Sequence, residues 1–140
     1  MKFELGESYT RAEISARLGG SLQSYLPRRA GRVVCGCFNP VDNPELPDIV
    51  LPGSGPEIEA AAAEYRKQYP VPIFLKVVTN CWRYVGNYQV ASWSVDRAEI
   101  EKHQIRSGRK PRGRDRITQI LKLQPVGEYW DWRTMRRARS

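Results

Sequence analysis

The stretch from Asn39 to Gly55 carries four prolines and two glycines, so neither a helix nor a strand inside a sheet can run through it. It divides the chain into two halves that must fold around a long ordered loop, and loops of that length in compact domains often carry function. The remaining prolines and glycines punctuate the rest, which implies many turns and short elements rather than a helical bundle. A chain of 140 residues has the size of one domain and buries a core without staples.

Local signals place the elements. Thr10 with Glu13 reads as a capping box for a helix over Arg11 to Leu18, ended by Gly19-Gly20. Phe3 to Leu5 reads as a short edge strand, and Arg32 to Phe38 as a strand with Val33, Cys35 and Cys37 on one face. A short strand is expected at Ile49 to Leu51. Pro56 starts the clearest helix, expected to run to Tyr69 with Ile58, Ala61, Ala62 and Tyr65 as its apolar stripe. Ile73 to Val78 and Trp82 to Val95 read as an antiparallel hairpin turning at Thr79-Asn80. Asp96 with Glu99 caps a short helix to Gln104. A basic loop spans Arg106 to Asp115, and Ile117 to Leu123 closes as a strand. The order does not alternate strand and helix, which argues against a doubly wound sheet. The expected fold class is α+β: a compact mixed sheet or partly open β-barrel with helices at its rim. Residues 1–128 form the expected domain, and 129–140 a flexible basic tail.

The net charge of +8 is local. Arg106 to Arg116 contributes +5 and Tyr129 to Ser140 contributes +3, while the rest has 13 basic and 13 acidic residues. A neutral domain with two concentrated arginine segments suits a polyanionic partner. Nucleic acid is therefore the expected partner, with DNA favoured over RNA. Phosphate contacts are assigned to Arg28, Arg29, Arg109, Lys110, Arg112, Arg114, Arg116, Arg136 and Arg137, which give affinity without sequence choice. No stretch approaches the roughly 18 apolar residues of a membrane span. The odd count of three cysteines fits a reducing compartment. The expected location is the cytoplasm, near the nucleoid, or the nucleus of a eukaryote.

Catalytic signals are sparse. No P-loop, dinucleotide fingerprint or zinc-protease motif is present, and no cofactor, metal or catalytic residue is assigned. Cys35, Cys37, Cys81 and His103 lack a zinc-site spacing; the default is buried thiols and a solvated histidine. A small metal-dependent nuclease using Asp42, Asp48 or His103 stays as an alternative.

Base-reading candidates come from one aromatic segment and two loops. Trp82, Tyr84, Gly86 and Tyr88 share a face if the segment is one regular strand, and aromatic faces stack on exposed bases. The competing reading makes Trp82 and Tyr88 core residues and Gly86 a bulge. Gln23, Ser24 and Tyr25 offer hydrogen bonds and a ring, and Asp48 can read a base amino group. Asn39, Asp42 and Asn43 read first as turn formers.

The run Tyr84-Val85-Gly86-Asn87-Tyr88-Gln89-Val90, with Trp93 after it, resembles the Tyr-Asp-Gly-Leu-Tyr-x-Val motif of SRA domains, members of the PUA-like superfamily. Gly19 to Ser24 is similar to the loops of SRA-type modules fused to HNH nucleases. The resemblance implies a pseudo-barrel that flips a modified cytosine into an aromatic pocket. Tyr84, Gly86 and Tyr88 carry over as pocket formers; Val85 stands where the motif has its base-contacting Asp, so that contact does not carry over. With no effector domain assigned in the chain, the module is expected to act alone or to recruit a separate nuclease or other effector protein. An RNA-binding PUA-like module is the alternative of the same architecture.

Overall fold

The structure is a computed structural model that describes residues 3–140. Its elements run β1 (Ser8–Tyr9), α1 (Arg11–Leu18), β2 (Arg28–Arg29), β3 (Arg32–Val33), β4 (Gly36–Phe38), β5 (Ile49–Val50), α2 (Pro56–Tyr65), β6 (Val71–Val78), β7 (Cys81–Ser94), α3 (Arg97–Ser107), β8 (Ile120–Asp131) and β9 (Arg136–Arg139). One mixed sheet has the order β4-β6-β7-β8-β5, with β1 on β7 and β9 on β8; β2 and β3 form a separate hairpin. Only β4 and β6 are parallel. The sheet does not close on itself, and the helices sit at its periphery: the fold is α+β with an open mixed sheet. No described helix is long and apolar enough to cross a membrane.

Strand β6 shows how the sheet is covered. Ile73 and Leu75 face Ala61, Ala62 and Tyr65 of α2, while Phe74, between them, faces Ile14 of α1. This is the two-residue alternation of a strand buried on both sides. Phe74 is fully buried and meets the rings of Phe3, Tyr9 and Tyr84. A third cluster, Leu51, Ile117 and Ile120 with Ile100, seats α3 at the far end.

Both capping predictions match. Thr10 and Glu13 bond reciprocally, and Asp96 accepts from the Glu99 amide. Several boundaries differ for tertiary reasons. Strand pairing begins at Ser8, not Phe3, whose ring packs in the α1 cluster. The expected strand Arg32 to Phe38 splits into β3 and β4. Val33 joins the α2 cluster whereas Cys35 and Cys37 join the α1 cluster, so the three do not share a face. Helix α2 stops at Tyr65 because Gln68 takes a left-handed φ of 64° and the Tyr69 hydroxyl serves elsewhere. That hydroxyl donates to Glu64 and accepts from the Val33 amide, tying β3 to the helix. Helix α3 continues to Ser107 and takes in Arg106. Strand β8 begins at Ile120 and runs unbroken through position 128 to Asp131. The expected tail is therefore part of the sheet: Glu128 to Asp131 pair with Arg136 to Arg139.

The hairpin β6–β7 forms as expected, turning at Asn80. Its register slips, however. Phe74 pairs with Tyr84 and Ile73 with Gly86, which leaves Val85 as the extra residue of a bulge. Gly86 takes φ +120°, and a Cβ there would sit 3.0 Å from Tyr129 Cβ. The bulge reverses the alternation. Trp82 and Tyr84 face the α1 cluster; Val85, Tyr88 and Val90 face the α2 cluster. The shared aromatic face expected from a regular strand does not form.

Phe74→Ala is expected to lower unfolding free energy by ~3–5 kcal/mol, the usual cost of emptying an aromatic core site. A urea midpoint measured with an unchanged m-value checks this.

Candidate nucleic-acid interface

Among the described residues, three surface clefts take up part of the predicted site: Gln23, Ser24, Tyr25, Arg28, Asp48, Trp82, Tyr88, Arg109 and Arg114. The first, about 660 Å³, includes Ser24, Tyr25, Arg28, Arg109 and Arg114. The second, about 700 Å³, includes Gln23, Tyr25, Lys76, Arg11 and Trp82. Both are also lined by Asp42 and Asn43, so they lie on either side of one ridge. The third, about 220 Å³, brings Tyr88 and Asp48 together.

The ridge is built by local hydrogen bonds. Asn43 is buried; its amide donates to the Asn39 carbonyl and its Oδ1 accepts from the Leu51 amide at 2.8 Å. Asn39 Oδ1 accepts from the Val41 amide. These asparagines shape the loop, as the turn-former reading expects. The facing loop, Ser21 to Tyr25, is pinned by the Arg11 guanidinium, which donates to the Ser21 and Ser24 carbonyls. The Tyr25 hydroxyl donates to the Ile58 carbonyl at 2.6 Å, and burial pushes its pKa up. Trp82 lies beneath two cations, with Arg11 Cζ 5.3 Å and Lys76 Nζ 5.9 Å from the ring centroid. Gln23 and Trp82 both line the second cleft. Tyr84 does not reach it; its hydroxyl donates to Asn87 and its ring packs on Phe3 and Phe74. Gly86 serves the approach of β7 and β8.

The basic residues fall into two groups. Arg109 is half-buried and donates to the carbonyls of Leu51 (2.7 Å), Asp42 (3.2 Å) and Asp115 (3.2 Å). Burial lowers its basicity, which Asp42 and Asp115 partly offset. It is a strut between the arginine segment and the ridge rather than a free phosphate contact. Arg28 pairs with Glu57 at 2.7 Å, and the aliphatic stem of Arg29 packs over Gly19. By contrast Lys110, Arg112, Arg114, Arg116 and Arg136 are exposed and form no ion pair among the described residues. Arg137 and Arg139 both lie near Glu128, at 3.7 and 3.6 Å. Gly53 carries the closest contact: a Cβ there would sit 1.9 Å from the Arg114 carbonyl oxygen.

Both basic segments meet the ridge loop. Arg106 pairs with Glu45, Arg109 holds Asp42, and Arg133 lies 3.6 Å from Asp48. Trp132 Nε1 donates to the Leu46 carbonyl. Segments about 25 residues apart thus dock within seven residues of chain, a span of at most ~20 Å.

His103 is buried, not solvated, with Nδ1 3.2 Å from Glu45. Among the described residues no group of three or more His, Cys, Asp or Glu is placed to hold a metal ion. Cys35 and Cys37 lie buried side by side in the α1 cluster. Sequence reasoning passed over Tyr129, Trp130, Asp131 and Trp132, which line the third cleft. Their signal was three aromatics around a carboxylate in four residues, within the segment read mostly as tail.

The open sheet, the ridge and its flanking clefts define an α+β domain with a cation-bordered grooved face. The chain belongs to the family described as a domain of unknown function (DUF6697), whose model matches residues 8–139. No curated protein and no solved structure matches it.

Arg109→Ala removes the donor from three carbonyls and is expected to cost ~1–3 kcal/mol of stability. Arg112→Ala, at an exposed site, should change stability by less than ~0.5 kcal/mol. Urea denaturation of both variants checks the contrast.

Proposed function

We propose that this chain is a nucleic-acid-binding module, a reader rather than an enzyme, that grips duplex DNA and accepts one base in the cleft at Trp82. The observation that carries the reading is the docking of both arginine segments on one loop. Lys110, Arg112, Arg114, Arg116 and Arg136 are the exposed cations for phosphate. The first cleft is balanced in formal charge, with Arg28, Arg109 and Arg114 against Asp42, Glu57 and Asp115, whereas the second, which would take the base, has Arg11 and Lys76 against Asp42.

The base would meet the Trp82 ring and the amides of Gln23, Asn39 and Asn80, all of which line the second cleft. Stacking contributes about 1–3 kcal/mol per base and edge hydrogen bonds add to it, against a flipping cost of a few kcal/mol. The SRA-like and PUA-like reading is part of this proposal and rests on the sequence resemblance and the α+β class; of the expected pocket residues it keeps Trp82, Gln23 and Tyr25 and gives up Tyr84 and Tyr88, which pack in the cores. The chain would act beside a separate nuclease or other effector, in the cytoplasm or nucleus.

The test is competition among plain duplex, duplex with a modified base, and structured RNA, each titrated between 50 and 200 mM salt. Five phosphate contacts predict a slope of log K against log salt of about −4.5. The double variant Arg112→Gln, Arg116→Gln should lower that slope by about 2. Trp82→Ala should erase the preference for the modified duplex and leave the slope unchanged. Tighter binding to RNA assigns the RNA-reading alternative. No salt-dependent binding to any of the three overturns the proposal.

A further inference from the structure

The third cleft differs from the other two in chemistry. Three partly exposed aromatics wall it, Tyr129, Trp130 and Trp132, with the fully buried Tyr88 beneath them. Two carboxylates, Asp48 and Asp131, line it with them, and Arg133 is the one cation in its lining. Its formal charge is therefore −1, inside the hairpin that carries the chain's C-terminal arginines. We infer that this cleft is an aromatic cage for a methylated ammonium group, as on a trimethylated lysine side chain.

Ring faces are the negative ends of aromatic quadrupoles, and a cation enclosed by several of them is held without any donated hydrogen bond. A trimethylammonium group has no N–H, so it needs rings and diffuse negative charge rather than aligned acceptors. The carboxylates supply that charge. They also repel phosphate, and a neutral apolar ligand would strip water from them with nothing in return. At about 220 Å³ the cleft lies below the ~300 Å³ where drug-sized ligands begin to fit, and suits one side-chain head group.

The walls are fixed before any ligand arrives. Trp130 lies against Gly6, where a Cβ would fall 2.8 Å from the ring. Trp132 is tied through Nε1 to the Leu46 carbonyl, and the Tyr88 ring is 6.5 Å from that of Tyr129 at 68°. The Tyr88 hydroxyl is buried, and its acidity is weakened by that burial and then by Asp48, Tyr129 and Asp131. Arg133 reaches Asp48 only at 3.6 Å, with the two side chains 61% and 63% exposed. A pair so exposed is held weakly, and a better-fitting cation displaces it. Arg133 is the resident competitor at the mouth.

The test uses the whole chain and three probes: a trimethyl-lysine peptide, the same peptide unmodified, and choline. The readout is the indole N–H resonances of Trp130 and Trp132. Saturable shifts with the trimethylated peptide at least about tenfold tighter than with the unmodified one are expected. Asp48→Asn should weaken binding several-fold, whereas Arg133→Gln should tighten it about threefold. Trp132→Phe keeps a ring where Trp132→Ala risks the fold, and should retain partial binding. Equal affinity for choline keeps the cage and assigns a free quaternary amine as its ligand. Equal affinity for both peptides, or no saturable shift, overturns the inference. So does displacement of these resonances by a modified nucleoside with weakening by Arg133→Gln, which would make the cleft a base pocket. The inference stands apart from the DNA reading: Arg112→Gln with Arg116→Gln should leave cage binding intact.

Discussion

Strand β7 lies between two cores, and the Val85 bulge exchanges which of its side chains face each. Before the bulge its even-numbered side chains pack against α1, and after it they pack against α2. An uninterrupted strand would present one face to each core along its whole length, and either Tyr84 or Tyr88 would lose its burial. The bulge needs Gly86 beside it, where β8 comes too close for a side chain. Beyond this approach β8 continues to Asp131 and pairs with Arg136–Arg139 as the β8–β9 hairpin. The third cleft exists only because that hairpin places Trp130 and Trp132 over Tyr88.

The ridge loop is the second organising element. Its shape comes from Asn39 and Asn43, and its position from Arg109, whose guanidinium links Asp42, Leu51 and Asp115. A buried cation on carbonyl oxygens is stable only with several acceptors, and here three converge. The result is that charge from two distant segments gathers around a few residues of loop.

Local signals were legible in proportion to how few residues they involve. The capping box at Thr10, the N-cap at Asp96, the Pro56 helix start and the turn before β7 each depend on neighbours within about four positions. The charge of the arginine segments was legible too, because charge does not depend on folding. The roles of individual arginines were not. Arg109 and Arg112 look alike in the chain, and only contacts with Leu51 and Asp42 distinguish a strut from an exposed cation.

By itself the sequence determined an α+β domain, its helix starts, its central hairpin and a net charge confined to two stretches, since these follow from side-chain type and short-range backbone geometry. Tertiary structure decided which way Trp82, Tyr84 and Tyr88 face, that His103 is buried, that residues 129–140 join the sheet, and that Asp48 meets Tyr88 and Trp132. Each of those rests on strand register or on pairs more than 25 residues apart, and a single inserted residue such as Val85 reverses every face beyond it.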